Sequence, residues 1–244
     1  MKTLITLFFG FISLSVSAVS EAEGYLKAFE HSAISLRKDK AELIVYSGIT
    51  DDRVFGKIEA LLLQDFNQNS GSGAWVDYVA WMTKALASSG KEKYRATIEK
   101  VISEAKNGKV KKYGRIALKM LDQHKQWKPL LNKDTDIHFD DPMHKYYYNM
   151  LRSDDFELMA IGGKRVFWEK IYKREIVDAL NEAILKNYNK VPNDGELIDG
   201  FAWMIRALGN AGAGADKYKN TLNEVADKAN NRKIKKYAIK YSSY

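Results

Sequence analysis

The sequence predicts an all-α protein built from two related multi-helix units. Three observations carry this. The stretch DYVAWMTKALASSG at 77–90 returns as DGFAWMIRALGNAG at 199–212. Apolar residues in both copies recur at helical spacing, and no stretch keeps the apolar–polar alternation of a half-buried strand.

In chain order, MKTLITLFFGFISLSVSA comes first: one Lys, an apolar stretch from Leu4 to Val16, and small residues at 16–18 suited to cleavage. We read residues 1–18 as an export leader, since so short an apolar run falls below the about 20 residues that cross a bilayer. The expected location is therefore periplasmic or secreted. No cysteine is present, so no disulfide can staple the fold. The 226 residues after the leader must be held by a core, which chains of this length can bury.

The first unit is assigned to 19–126, a linker to 127–141 and the second unit to 142–244. Aligning 77–88 with 199–210 and 93–116 with 217–240 gives 16 identities in 36 positions, and the offset moves from 122 to 124 because GNAGAGAD lengthens a turn. Trp75, Val79, Met82 and Leu86 make one stripe, matched by Leu197, Phe201, Met204 and Leu208. Trp81 with Ala85, and Trp203 with Ala207, add a second stripe, so this helix is expected to lie between layers. Tyr94, Ile98, Val101 and Ala105 mark the next helix, matched by Tyr218, Leu222, Val225 and Ala229. Val110, Tyr113, Ala117 and Leu121 mark the last, matched by Ile234, Tyr237 and Tyr241. Upstream, LRKDKAELIVYSG at 36–48 matches LRSDDFELMAIGG at 151–163 at an offset of 115. The register then jumps to about 123, which assigns roughly eight extra residues, including FWEKIYKR, to the second copy. RVFGKI at 53–58 and RVFWEKI at 165–171 also match, so a second register stays open. The seam QWKPLLNKDTDIHFDDPM at 126–143 holds two of the three prolines, and Asp141 is expected to cap a helix starting at Pro142.

Helices apolar on more than one side cannot bury themselves alone, so the two units are expected to stack as a short α-solenoid. KVKKYGRIALKML and KIKKYAIKYSSY resemble the second helix of HEAT-type repeats, with a basic start and an alanine-containing apolar stripe. The turns SGITD and ASSGKEKY are similar to those of HEAT-like repeats in bacterial proteins. The resemblance covers most of the chain after the leader, though the usual proline of the first helix is missing. It implies two HEAT-like units and a binding role, and it carries over no catalytic residue.

A search for chemistry finds little. SxxK occurs at Ser35, Ser88 and Ser103, without the SDN and KTG motifs that accompany it in serine enzymes of peptidoglycan. HExxH, GxSxG and a P-loop are absent, and thiol nucleophiles are excluded. DTDIHFDDPMH offers Asp134, Asp136, His138, Asp140, Asp141 and His144, but as a calcium loop it has Phe139 where glycine is needed and Lys145 where glutamate is needed. No metal and no cofactor are expected. Asp77 and Asp199 lie near helix starts, where a carboxylate suits the dipole.

The net charge is +8, or +7 without Lys2, and it is localised. Residues 105–125 carry seven Lys or Arg against Asp122, and residues 228–244 carry six with no acid. Lys109 and Lys112 correspond to Lys233 and Lys236, so stacking could build a basic ridge. Trp168 and Tyr172 would be exposed anchors if FWEKIYKR extends a helix past its neighbour. Three functions follow as expectations. The first is an exported scaffold that binds a protein partner and performs no catalysis, through Lys109, Lys112, Lys233, Lys236 and Trp168. The second is a binder of anionic polysaccharide or another polyanion along the ridge, and the third is an enzyme of the cell envelope.

Overall fold

The computed structural model describes residues 12–211 and 216–242, with side chains from Glu21 onward. These residues form twelve α-helices, one short 3-10 turn at Glu92–Tyr94, and no strand. The helices are α1 (Ile12–Glu30), α2 (Ile34–Tyr46), α3 (Asp52–Asp65), α4 (Gly73–Ala87), α5 (Arg95–Glu104) and α6 (Gly108–Leu131), then α7 (Pro142–Leu151), α8 (Phe156–Trp168), α9 (Arg174–Asn187), α10 (Gly195–Ala211), α11 (Asp216–Lys228) and α12 (Arg232–Ser242). The first eleven residues of the expected leader lie outside the described residues, as do Gly212, Ala213, Gly214 and Ala215 of the lengthened turn. Among the described residues no helix is long and apolar enough to cross a membrane.

The chain divides into two compact units, Met1–Pro129 and Leu130–Tyr244. In the second, helices pair as α7 with α8, α9 with α10 and α11 with α12, the short connections making each pair a hairpin. The hairpins stack so that α8, α10 and α12 form one layer and α7, α9 and α11 the other. The first unit shows the same contacts, α1 against α3 and α2 against α4. Each unit is thus solenoid-like, because a helix buried on two sides needs a neighbour on each.

Helix starts are set by side chains that accept the first free N–H groups. Asp51 accepts from Arg53 N at 2.8 Å, Ser72 from Trp75 N at 3.5 Å and Asp155 from Leu158 N at 2.8 Å. Asp141 caps α7 through Met143 N at 2.9 Å with Pro142 in the first turn, as its sequence predicts. The predicted stripes are the core: Val79, Met82 and Leu86 on α4, and Phe201, Met204 and Leu208 on α10, are buried.

The upstream register of the repeat needs correction. Helix α2 has 13 residues and α8 has 13, and α8 begins 122 positions later. Helices α3 and α9, of 14 residues each, also start 122 positions apart, as do α4 and α10. The offset becomes 124 at α6 and α12. No extra residues separate the copies upstream, and FWEKIYKR is simply the end of α8 and the turn after it. The similarity of 36–48 to 151–163 misled because LRKD lies inside α2 while LRSD ends α7 and opens a turn. Burial decides the register: Val54, Ile58 and Leu62 correspond to Ile176, Leu180 and Ile184, all buried.

Each copy also repeats one polar brace. Asn67 donates from Nδ2 to Glu104 O at 3.1 Å and accepts from Lys106 N at 2.8 Å. Asn189 does the same with Lys228 O at 3.1 Å and Asn230 N at 2.8 Å. The helix that opens the seam, α6, runs through Pro129 to Leu131, so the first residues of the stretch 127–141 are helical. Lys128 turns back into the first unit and donates from Nζ to Ser47 O at 2.9 Å and Ile49 O at 3.0 Å, satisfying carbonyls at the end of α2.

Candidate functional site

The α8–α10–α12 layer of the second unit carries a groove. Between α8 and α10 a cavity of about 630 Å³ is lined by Glu157, Ala160, Ile161 and Lys164 from one side and by Asp194, Glu196, Leu197, Asp199, Gly200 and Trp203 from the other. A smaller cavity of about 80 Å³ lies between α10 and α12, lined by Asp199, Ala202, Trp203, Arg206, Lys233 and Tyr237. Asp199 and Trp203 line both.

Around the groove the second unit carries smaller residues than the first. At the position of Gly200 the first unit has Tyr78, fully buried, whose hydroxyl donates to Asp65 at 2.8 Å. At the position of Leu197 it has Trp75, whose Nε1 donates to Asp65 O at 2.9 Å. Arg37 completes that network, 3.8 Å from Asp65. In the second unit these places hold Gly200, Leu197, Asn187 and Met159, and only a weak contact of 3.7 Å from Asn187 Nδ2 to Met159 Sδ replaces the ion pair. A Cβ on Gly200 would overlap Ala160 Cβ, so glycine permits α8 and α10 to touch at the groove floor.

Trp203, which lines both cavities, belongs to an aromatic cluster. Trp203 lies 5.1 Å from Phe167 and 5.4 Å from Trp168, centre to centre. Trp168 is 59 % exposed although it meets Phe167 edge-on and Trp203 at a tilt. The guanidinium of Arg206 stands 4.3 Å from the centre of Phe167 and 4.7 Å from that of Trp203. Asp194, which opens the groove, accepts from Glu196 N at 2.9 Å and Leu197 N at 3.0 Å and caps α10.

The residues singled out from sequence are dispersed over this frame. Trp168, the last residue of α8, touches Trp203 but lines neither cavity, and Tyr172 is equally exposed in the following turn. Lys233 reaches the groove, where its ammonium is bound to Asp199. Lys236 is exposed on α12, and Lys109 and Lys112 are exposed on α6 of the other unit. Of the acidic run near the seam, Asp140 pairs with Lys173 at 3.1 Å and Asp141 is spent on its cap. Among the described residues no three acids or histidines gather as a metal site. Ser88 is buried, donating to Ala85 O at 2.8 Å and Ile44 O at 3.3 Å.

Sequence reasoning missed Gly200, Arg206 and the role of Trp203 beyond packing. The signal was present in the repeat: read at an offset of 122, Tyr78 becomes Gly200 and Glu42 becomes Lys164. The shifted upstream register concealed the second change.

The class that these observations define is an all-helical protein of stacked hairpins. No family model and no curated protein matches the chain. Among solved structures it is similar to that of human deoxyhypusine hydroxylase in complex with glycerol, with 12% identity, a TM-score of 0.34, and coverage of 91% of this chain and 83% of that one. The expectation of a scaffold that performs no catalysis is corrected and not carried forward: the structure it resembles is named for an enzyme, while a likeness this distant assigns this chain no activity.

Proposed function

We propose that the second unit binds a saccharide chain in the groove between α8 and α10, as an exported protein meeting glycans of the cell envelope. The observation that supports this is the step of Trp168 and Trp203 beside a polar cavity of about 630 Å³. An indole face takes the C–H side of a sugar ring, while carboxylates and ammonium groups exchange hydrogen bonds with its hydroxyls. The volume suits a small ligand, since such sites span about 300–1,000 Å³.

A second reading is hydrolysis of that saccharide, favoured by Glu157, Glu196 and Asp199 lining the same cavity. Glycoside cleavage needs two carboxyl groups, one to protonate the leaving oxygen and one to activate water or attack the ring. Titration of the purified protein with a panel of oligosaccharides, followed by tryptophan fluorescence, tests binding, and chromatography of the same mixtures tests cleavage. Trp203→Ala is expected to weaken the best ligand by about tenfold or more, as loss of a central aromatic anchor does. Absence of any ligand in the panel, or full affinity in the variant, would overturn the proposal.

A further inference from the structure

Arg206 lies three residues beyond Trp203 on α10, with Phe167 and Trp203 as its ring neighbours. A guanidinium laid against rings keeps its hydrogen-bonding capacity at its edge, where its N–H donors lie in one plane. Its Nε is shielded from solvent and meets no acceptor, and none of the ion pairs among the described residues includes it. This cation lines the smaller cavity beside Trp203 and Tyr237.

The first unit answers the same arrangement differently. Lys84 occupies the position 122 residues earlier, 4.5 Å from the centre of Trp81 and 5.1 Å from that of Tyr113. Burial pulls its pKa down, and the negative charge of Glu42 opposes that pull. The first unit therefore supplies a counter-charge to its own cation. In the second unit the position of Glu42 is taken by Lys164, another cation at the groove. Asp199, the acid shared by both cavities, is bound to Lys233. The tryptophan and its cation are kept in both copies, and the carboxylate of Glu42 is replaced by the ammonium of Lys164 in the copy that has the groove.

We infer that Arg206 selects the ligand: it takes the carboxylate of an acidic sugar, of the uronic-acid class, whose ring lies on Trp203. This rests on the saccharide reading of the groove and names its substrate class. A planar carboxylate matches the guanidinium edge with two parallel hydrogen bonds, which a neutral sugar cannot make.

The test titrates the full chain with a galacturonic-acid trisaccharide and with its uncharged methyl ester. The wild type is expected to hold the acid about tenfold more tightly than the ester, and Arg206→Gln to bring acid and ester to equal affinity. Arg206→Lys should keep part of the preference, because it keeps charge without the fork. Equal binding of acid and ester by the wild type, or an equal loss for both in Arg206→Gln with an unchanged melting temperature, would overturn the inference while leaving the groove intact. Failure of both sugars to bind the wild type overturns the groove reading itself.

Discussion

Gly90 shows how a single residue fixes local structure. It closes the turn after α4 with φ of +64°, and a Cβ there would sit 2.7 Å from Lys125 N and 2.8 Å from Lys125 Cα. Both the backbone conformation and the space exclude a side chain. Gly90→Ala is therefore expected to lower stability by about 1–3 kcal/mol, measurable by urea unfolding. Gly200 is the functional counterpart of this argument. Where Tyr78 reaches Asp65 in the first unit, Gly200 lets α8 come against α10, and their contact makes the groove floor. Chemistry alone did not reveal this. Tyr78 and Gly200 are a plain mismatch in an alignment until the tertiary contacts of each are known.

At the scale of elements, the duplicated helices were legible and their register was only partly so. The stripes of α4 and α10 repeat heptad-like spacing, and any side chain that faced a core in one copy had to face it in the other. Between α2 and α8 identity has drifted, because burial constrains size and apolarity more than residue type. There a local similarity at an offset of 115 outscored the true one at 122. The asparagine brace marks the true relation better than the hydrophobic residues do, since one amide must donate to one carbonyl and accept from one N–H. Asn67→Ala and Asn189→Ala are each expected to cost about 1 kcal/mol, with similar losses because the geometry is the same. A thermal melt of each variant, with loss in one copy only, would show that the copies do not share this support.

For the whole molecule the measurable consequence is pH dependence. His124 is 2 % exposed, packed edge-on to Trp127 at 5.2 Å, and neither ring nitrogen has a hydrogen-bond partner. Burial, with the nearby charge of Lys128 adding to it, pushes the imidazole down from 6.5 to about 3. Burial likewise pushes Lys128 down from 10.5 to about 7, opposed by Glu21 and reinforced by Lys91. In both cases the folded state binds its proton less tightly than the unfolded chain. The contribution of His124 is complete above pH 6.5 and falls as pH drops toward 3, and that of Lys128 grows as pH rises from 7 to 10.5. Below pH 6.5, and before the carboxylates protonate, stability should fall by up to about 1.4 kcal/mol per pH unit through this one histidine. Unfolding of His124→Leu across the same range should show a flatter course, and an unchanged slope would place the titration elsewhere.

Composition, periodicity and repetition by themselves determined that this chain is helical, that it is written twice, and that its core is built from matching stripes. These are local or self-referential properties, and 3.6-residue spacing reports them without any knowledge of neighbours. Only the tertiary structure decided that α2 corresponds to α8, that Lys233 is bound to Asp199 and that Arg206 stands between rings without an acid. The reason is physical: whether a charge or an aromatic face is available depends on what another helix brings beside it, and that partner lies tens of residues away in the chain.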